Sequence, residues 1–64
     1  MLTKVKQIRL EKGMTQGELA KLTNVSRQTI GLIEKGEYNP SLNLCIIICK
    51  SLGVTLNDLF WEED

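Results

Sequence analysis

Histidine is absent from this sequence, and cysteine occurs only twice, at Cys45 and Cys49. So few donors do not make a four-ligand zinc site within one chain, and no metal site is expected. No serine stands beside a base, no glycine-rich phosphate loop is present, and no acid pair is placed for a cleft. The residue types that carry acid–base, nucleophilic or phosphate chemistry are therefore missing in combination, and an enzyme, a cofactor or a small-molecule ligand is not expected. There is no run of 18 apolar residues, so no membrane span is expected. Met1-Leu2-Thr3-Lys4 leads straight into a charged amphipathic segment without a secretory signal pattern, which points to a soluble cytoplasmic protein. Repeats, low-complexity stretches and strong strand signals are also lacking. The 64 residues are expected to form one small domain over 1–64. A core this small is marginal, and dimerisation would help stabilise it.

Net charge is zero, but the charge is unevenly placed. Residues 1–35 carry seven basic side chains (Lys4, Lys6, Arg9, Lys12, Lys21, Arg27, Lys35) against the acids Glu11, Glu18 and Glu34. Residues 36–64 carry Lys50 against Glu37, Asp58, Glu62, Glu63 and Asp64. A basic half and an acidic tail suit a nucleic-acid binder of modest non-specific affinity. Ordinary charge scatter is the plainer reading.

What is present is helical punctuation. Val5, Ile8 and Arg9 follow helical spacing with Leu2, predicting a first helix from about Thr3 to Lys12 that stops at Gly13. Thr15 followed by Glu18 is a capping box, with Met14 as the staple ahead of it. Leu19, Ala20 and Leu22 give this second helix an apolar side. Ser26 caps a third helix whose apolar side is Val25, Ile30 and Ile33, ending near Lys35-Gly36. Thr23-Asn24 leaves room for only a very short turn, so the two helices cross sharply, as in a helix-turn-helix. That geometry places its second helix in the DNA major groove.

After the loop at Glu37-Tyr38-Asn39-Pro40, Ser41 caps a fourth helix to about Leu52, closed by Gly53. Thr55 and Asp58 start a short last helix near Leu56 to Phe60, and an extended tail over 61–63 stays open. The expected class is all-α, a compact five-helix bundle. On the fourth helix Leu42, Cys45, Ile48, Cys49 and Leu52 share one face at roughly 100° per residue. Cys45 and Cys49 read as core fillers, with a redox or metal-sensing pair across a dimer as the alternative. Ile47 points to the opposite side and is expected to be exposed or covered by a partner.

Taken together, Thr15-Gln16, Leu19-Ala20, Val25-Ser26, Ile30, Ile33-Glu34, Gly36, Asn39-Pro40-Ser41-Leu42 and Leu52-Gly53-Val54 before Leu59-Phe60 resemble the phage-repressor and Cro type of helix-turn-helix, also called the xenobiotic-response-element family. The resemblance runs from about Val5 to Phe60 and is strongest to short stand-alone members of the cytolysin-operon repressor type. It implies a lambda-repressor-like DNA-binding domain acting as a dimeric transcriptional repressor. It also implies that Arg9 and Glu34 form a structural ion pair between the first and third helices. In similar proteins the glutamine matching Gln16 touches the DNA backbone and buttresses the recognition helix.

On the residues themselves, Gln16 at a helix N-terminus can bind phosphate or serve as a cap. Ser26, Arg27, Gln28 and Thr29 open the third helix, where side chains reach base edges first. Arg pairs with guanine, Gln with adenine, and the Thr methyl meets a thymine methyl. Gln28 is the leading base reader, and Arg27 meets a base or a phosphate. Gly31 and Leu32 depart from the polar residues that many relatives carry. Leu32 either contacts a thymine methyl or packs. Lys35, Tyr38 and Asn39 suit phosphate contacts, with Tyr38 alternatively covering the core. Leu56, Leu59, Phe60, Trp61 and Ile47 are candidates for a homodimer interface, Leu59 and Phe60 having core closure as their alternative. A symmetric dimer on double-stranded DNA would space its recognition helices by about 34 Å and read a near-palindromic operator. Two other classes stay open: an antitoxin that also binds a partner protein, and a protein-interaction adaptor.

Overall fold

The computed structural model describes residues 4–60 and shows five helices and no strand among them. These are α1 (Val5–Glu11), α2 (Gln16–Thr23), α3 (Arg27–Lys35), α4 (Leu42–Leu52) and α5 (Leu56–Phe60). The starts of α2, α3 and α4 lie where the capping residues put them. Thr15 Oγ1 accepts from the Glu18 N–H at 3.0 Å while Glu18 Oε1 accepts from the Thr15 N–H at 2.8 Å, a complete capping box. Ser26 and Ser41 accept from the Thr29 and Leu44 N–H groups. The carboxylates of Glu18 and Asp58 have pKa values lowered from the ordinary range, chiefly by the Thr15 and Thr55 backbone N–H groups that donate to them.

The ends of the first four helices share one device. A left-handed residue stands just past each: Gly13, Asn24, Gly36 and Gly53, with φ between 60° and 76°. The residue after it sends its N–H back five positions: Met14 to Arg9, Val25 to Ala20, Glu37 to Leu32 and Val54 to Cys49. This is the Schellman closure, which pairs carbonyls that the helix leaves open. The α2–α3 turn uses asparagine where the other three use glycine. Its short polar side chain tolerates the left-handed state.

The core is built from Val5, Leu19, Ala20, Ile30, Ile33, Ile48, Cys49, Leu52 and Leu59, with Ile8, Met14, Val25, Leu44 and Val54 packed against it. Every helix contributes. The Lys4 N–H also donates to the Leu59 carbonyl at 2.9 Å, which ties the start of α1 to α5. Both cysteines are buried free thiols, in keeping with a packing role, and burial pushes their pKa values up.

Two expectations about side-chain placement are corrected. Leu22 does not lie on the inner side of α2; it is 58% exposed. Thr23 is buried instead, because its hydroxyl donates back to the Leu19 carbonyl at 2.8 Å and so needs no other partner. Leu42, the first residue of α4, is 68% exposed although it shares a face with the buried Cys45, Ile48, Cys49 and Leu52. For Leu59 the core-closing alternative holds over the interface candidacy, since its side chain is buried.

Candidate nucleic-acid interface

α3 has two faces. Ile30 and Ile33 are fully buried on the inner one. The outer one carries Arg27, Gln28, Gly31, Leu32 and Lys35, which together with Gln16 of α2 line an open groove. Arg27, Gln28 and Lys35 are exposed, and Leu32 is half-buried. At the helix start the Ser26 and Thr29 hydroxyl oxygens lie 2.9 Å apart in a hydrogen bond, and Ser26 Oγ also accepts from the Thr29 N–H. The Thr29 hydroxyl is thus engaged locally by Ser26.

A hydrogen-bond network fixes how α3 is turned. Arg9 Nε donates to Glu34 Oε2 at 2.7 Å and Nη2 donates to Glu34 Oε1 at 3.3 Å. The two side chains are only 7% and 3% exposed. Arg9 Nη1 donates to the Met14 carbonyl at 2.7 Å, which occupies another face of the guanidinium fork. Gln16 Nε2 donates to Glu34 Oε1 at 3.0 Å. Glu34 therefore receives α1 and α2 together. Among the described residues no buried side-chain nitrogen or oxygen lacks a partner, which is the condition a buried ion pair needs to be tolerated.

The helix-turn-helix family model matches residues 5–59, nearly all of the chain that forms this arrangement. The chain belongs to that family. The helix-turn-helix chain is 44% identical over 64 residues to the HTH-type transcriptional regulator YgzD of Bacillus subtilis strain 168, covering 100% of its own length and 97% of YgzD. It is 37% identical over 60 residues to the immunity repressor protein of Bacillus phage phi105, covering 94% of itself and 42% of that protein. Among solved structures it superposes on the restriction-modification controller protein C.AhdI of Aeromonas hydrophila with a TM-score of 0.82 at 27% identity, covering 86% of this chain and 83% of that one. It also superposes on the clp gene regulator ClgR of Corynebacterium glutamicum with a TM-score of 0.81 at 31% identity. There it covers 84% of its own length and spans 57% of ClgR. These likenesses place it with the phage-repressor and Cro type of transcriptional regulator.

In this helix-turn-helix regulator the remaining expected contacts fall at two places. Lys35, Tyr38 and Asn39 are all exposed at and beyond the end of α3, with Tyr38 at 43%, so Tyr38 does not seal the core. Of the residues expected at a dimer interface, Leu56 is 38% exposed and Ile47 is half-buried on α4. Leu59 is inside. Phe60 ends α5, while the interface role of its side chain and of Trp61, and the extended tail, lie outside the described residues.

One contact escaped the sequence reading: the Arg9–Met14 bond goes to a backbone carbonyl, which no residue pattern marks. The Gln16–Glu34 bond spans 18 positions and agrees with the buttressing of the third helix that the resemblance implied for Gln16.

Proposed function

We propose that this regulator is a sequence-specific binder of double-stranded DNA that represses transcription as a homodimer on a near-palindromic operator. One observation carries this: α3 is anchored through its inner face and Glu34 while Arg27, Gln28 and Lys35 project from the other side. Long charged and amide side chains without a role in the fold are the groups that pair with base edges and phosphates. Gln28 reads a base and Arg27 a base or phosphate. Ser26 and Thr29 shape the helix entrance at the DNA. Gln16 offers its remaining amide hydrogen-bonding capacity to a phosphate while buttressing α3 through Glu34. Lys35, Tyr38 and Asn39 hold the backbone. Leu56, Ile47, Phe60 and Trp61 supply the partner surface of a second copy, without Leu59. Nothing observed favours the antitoxin or adaptor readings.

Fluorescence anisotropy with DNA from upstream of the gene, against scrambled DNA over a range of salt, tests the proposal. Tight, selective binding that weakens with salt is expected. Equal, weak binding to both DNAs would overturn it.

A further inference from the structure

Leu32 is an apolar side chain on a face otherwise built for polar contact. At roughly 100° per residue it lies about 130° from the mean direction of Ile30 and Ile33 but about 40° from Gln28. Among the described residues it belongs neither to the buried core cluster nor to the side chains packed against it. Its neighbour on the outer face, Gly31, has no side chain, so Leu32 lines the groove there together with Gln28 and Lys35. Apart from its chain neighbours and its own helix backbone, a Cβ at Gly31 would meet only Gln16 Nε2, at the ordinary contact distance of 3.9 Å. A half-buried leucine in an open groove between an amide and a lysine offers no hydrogen bond to any partner.

We propose, resting on the DNA-binding reading above, that Leu32 is a specificity determinant that reads the C5 methyl group of a thymine in the major groove. The major groove presents one apolar group, that methyl, and it belongs to thymine alone among the four unmodified bases. Leu32 lies four residues beyond Gln28, about 6 Å along the helix axis. The methyl it reads is therefore within one to two base-pair steps of the base contacted by Gln28, at about 3.4 Å per step. At this position the regulator discriminates by a methyl group, so a 5-methylcytosine is accepted there in place of thymine better than cytosine is.

The test begins with selection of binding sites from random double-stranded DNA by the full chain. Each thymine of the selected half-site is then replaced by deoxyuridine, which lacks the methyl. Wild type is expected to lose about fourfold in affinity per half-site at one thymine, the effect of removing one buried methyl. Leu32→Ala is expected to bind the uridine and thymine DNAs equally, while Leu32→Met, apolar and of similar size, retains the dependence. Replacing the thymine pair by 5-methylcytosine with guanine should retain more affinity than cytosine with guanine in wild type and Leu32→Met, but not in Leu32→Ala. Circular dichroism melting confirms that both variants fold. No methyl dependence at any thymine, or a dependence that persists in Leu32→Ala, overturns the assignment while the selected sequence still upholds the DNA-binding reading. Selection that returns no common sequence overturns both.

Discussion

α3 and α4 are both entered through a serine that accepts a backbone N–H and both left through a left-handed glycine, yet they are held in place by different forces. α4 buries Cys45, Ile48, Cys49 and Leu52, keeps Ile46 and Ile47 half-buried, and has Lys50 as its only charged residue. Its seat depends on apolar burial, which is non-directional. α3 buries two isoleucines and adds the Glu34 carboxylate, which takes bonds from Arg9 and Gln16. Those bonds weaken steeply once misaligned, so they specify an angle as well as a position. The helix proposed to meet DNA is the one with directional anchorage. Like caps decide where a helix begins and ends, while the contacts its side chains make with other helices decide how tightly its orientation is held.

The contrast is broken most severely by Glu34→Ala, which leaves α3 with apolar burial alone and strands a buried guanidinium. Urea denaturation is expected to show a loss of about 3–5 kcal/mol, a large part of the stability of so small a domain. A loss below about 1 kcal/mol, the range of surface ion pairs, would mean that α3 and α4 are held alike after all. Next in size, Gln28→Ala should weaken selected DNA by about 1–3 kcal/mol and relax preference at one or two positions. Lys35→Ala should weaken all sequences evenly and flatten the salt slope by about one unit, so competition titrations with mismatched DNA distinguish the two.

A smaller effect has the opposite sign. Gly31→Ala places a methyl where only Gln16 Nε2 stands nearby, at ordinary contact distance, and removes a poor helix former from the interior of α3. Thermal unfolding should show a gain of about 0.5–1 kcal/mol. Smallest are the exposed capping carboxylates, Glu18 and Asp58. Their folded pKa values are lowered, so their contribution is present above the unfolded value of about 4 and is lost as pH falls through the folded one. Glu18→Gln and Asp58→Asn should each flatten the acid side of a plot of melting temperature against pH. An unchanged acid limb in both would discount the caps.

The boundaries of the helices were legible because capping chemistry is local: Thr15 with Glu18, Ser26, Ser41, and the closing glycines act within a few residues. The inner face of α3 was legible for the same reason, since Ile30 and Ile33 are both central to it. Placement at helix edges was not. Leu22 and Leu42 have inner-face spacing, but whether an edge position is covered depends on the neighbouring element, and a threonine whose hydroxyl bonds its own helix took the buried place beside Leu22. The Arg9–Glu34 pair became visible only through resemblance, because 25 positions separate its partners. The polar residues of α3 could be named as candidate DNA contacts, but the bond between the Ser26 and Thr29 hydroxyls became visible only in the folded structure.

The meeting of Arg9, Gln16 and Glu34 acts mechanically as a stop against rolling. A helix with its side chains is about 10–12 Å across, so a 10° roll about its axis would sweep the outer tips through roughly 1 Å. A displacement of that size takes a base-edge hydrogen bond from good geometry to none. Two donors from separate helices, gripping one carboxylate on the flank of α3, convert small angular play into strained hydrogen bonds. In this way three side chains can hold the helix proposed to read DNA at one angle.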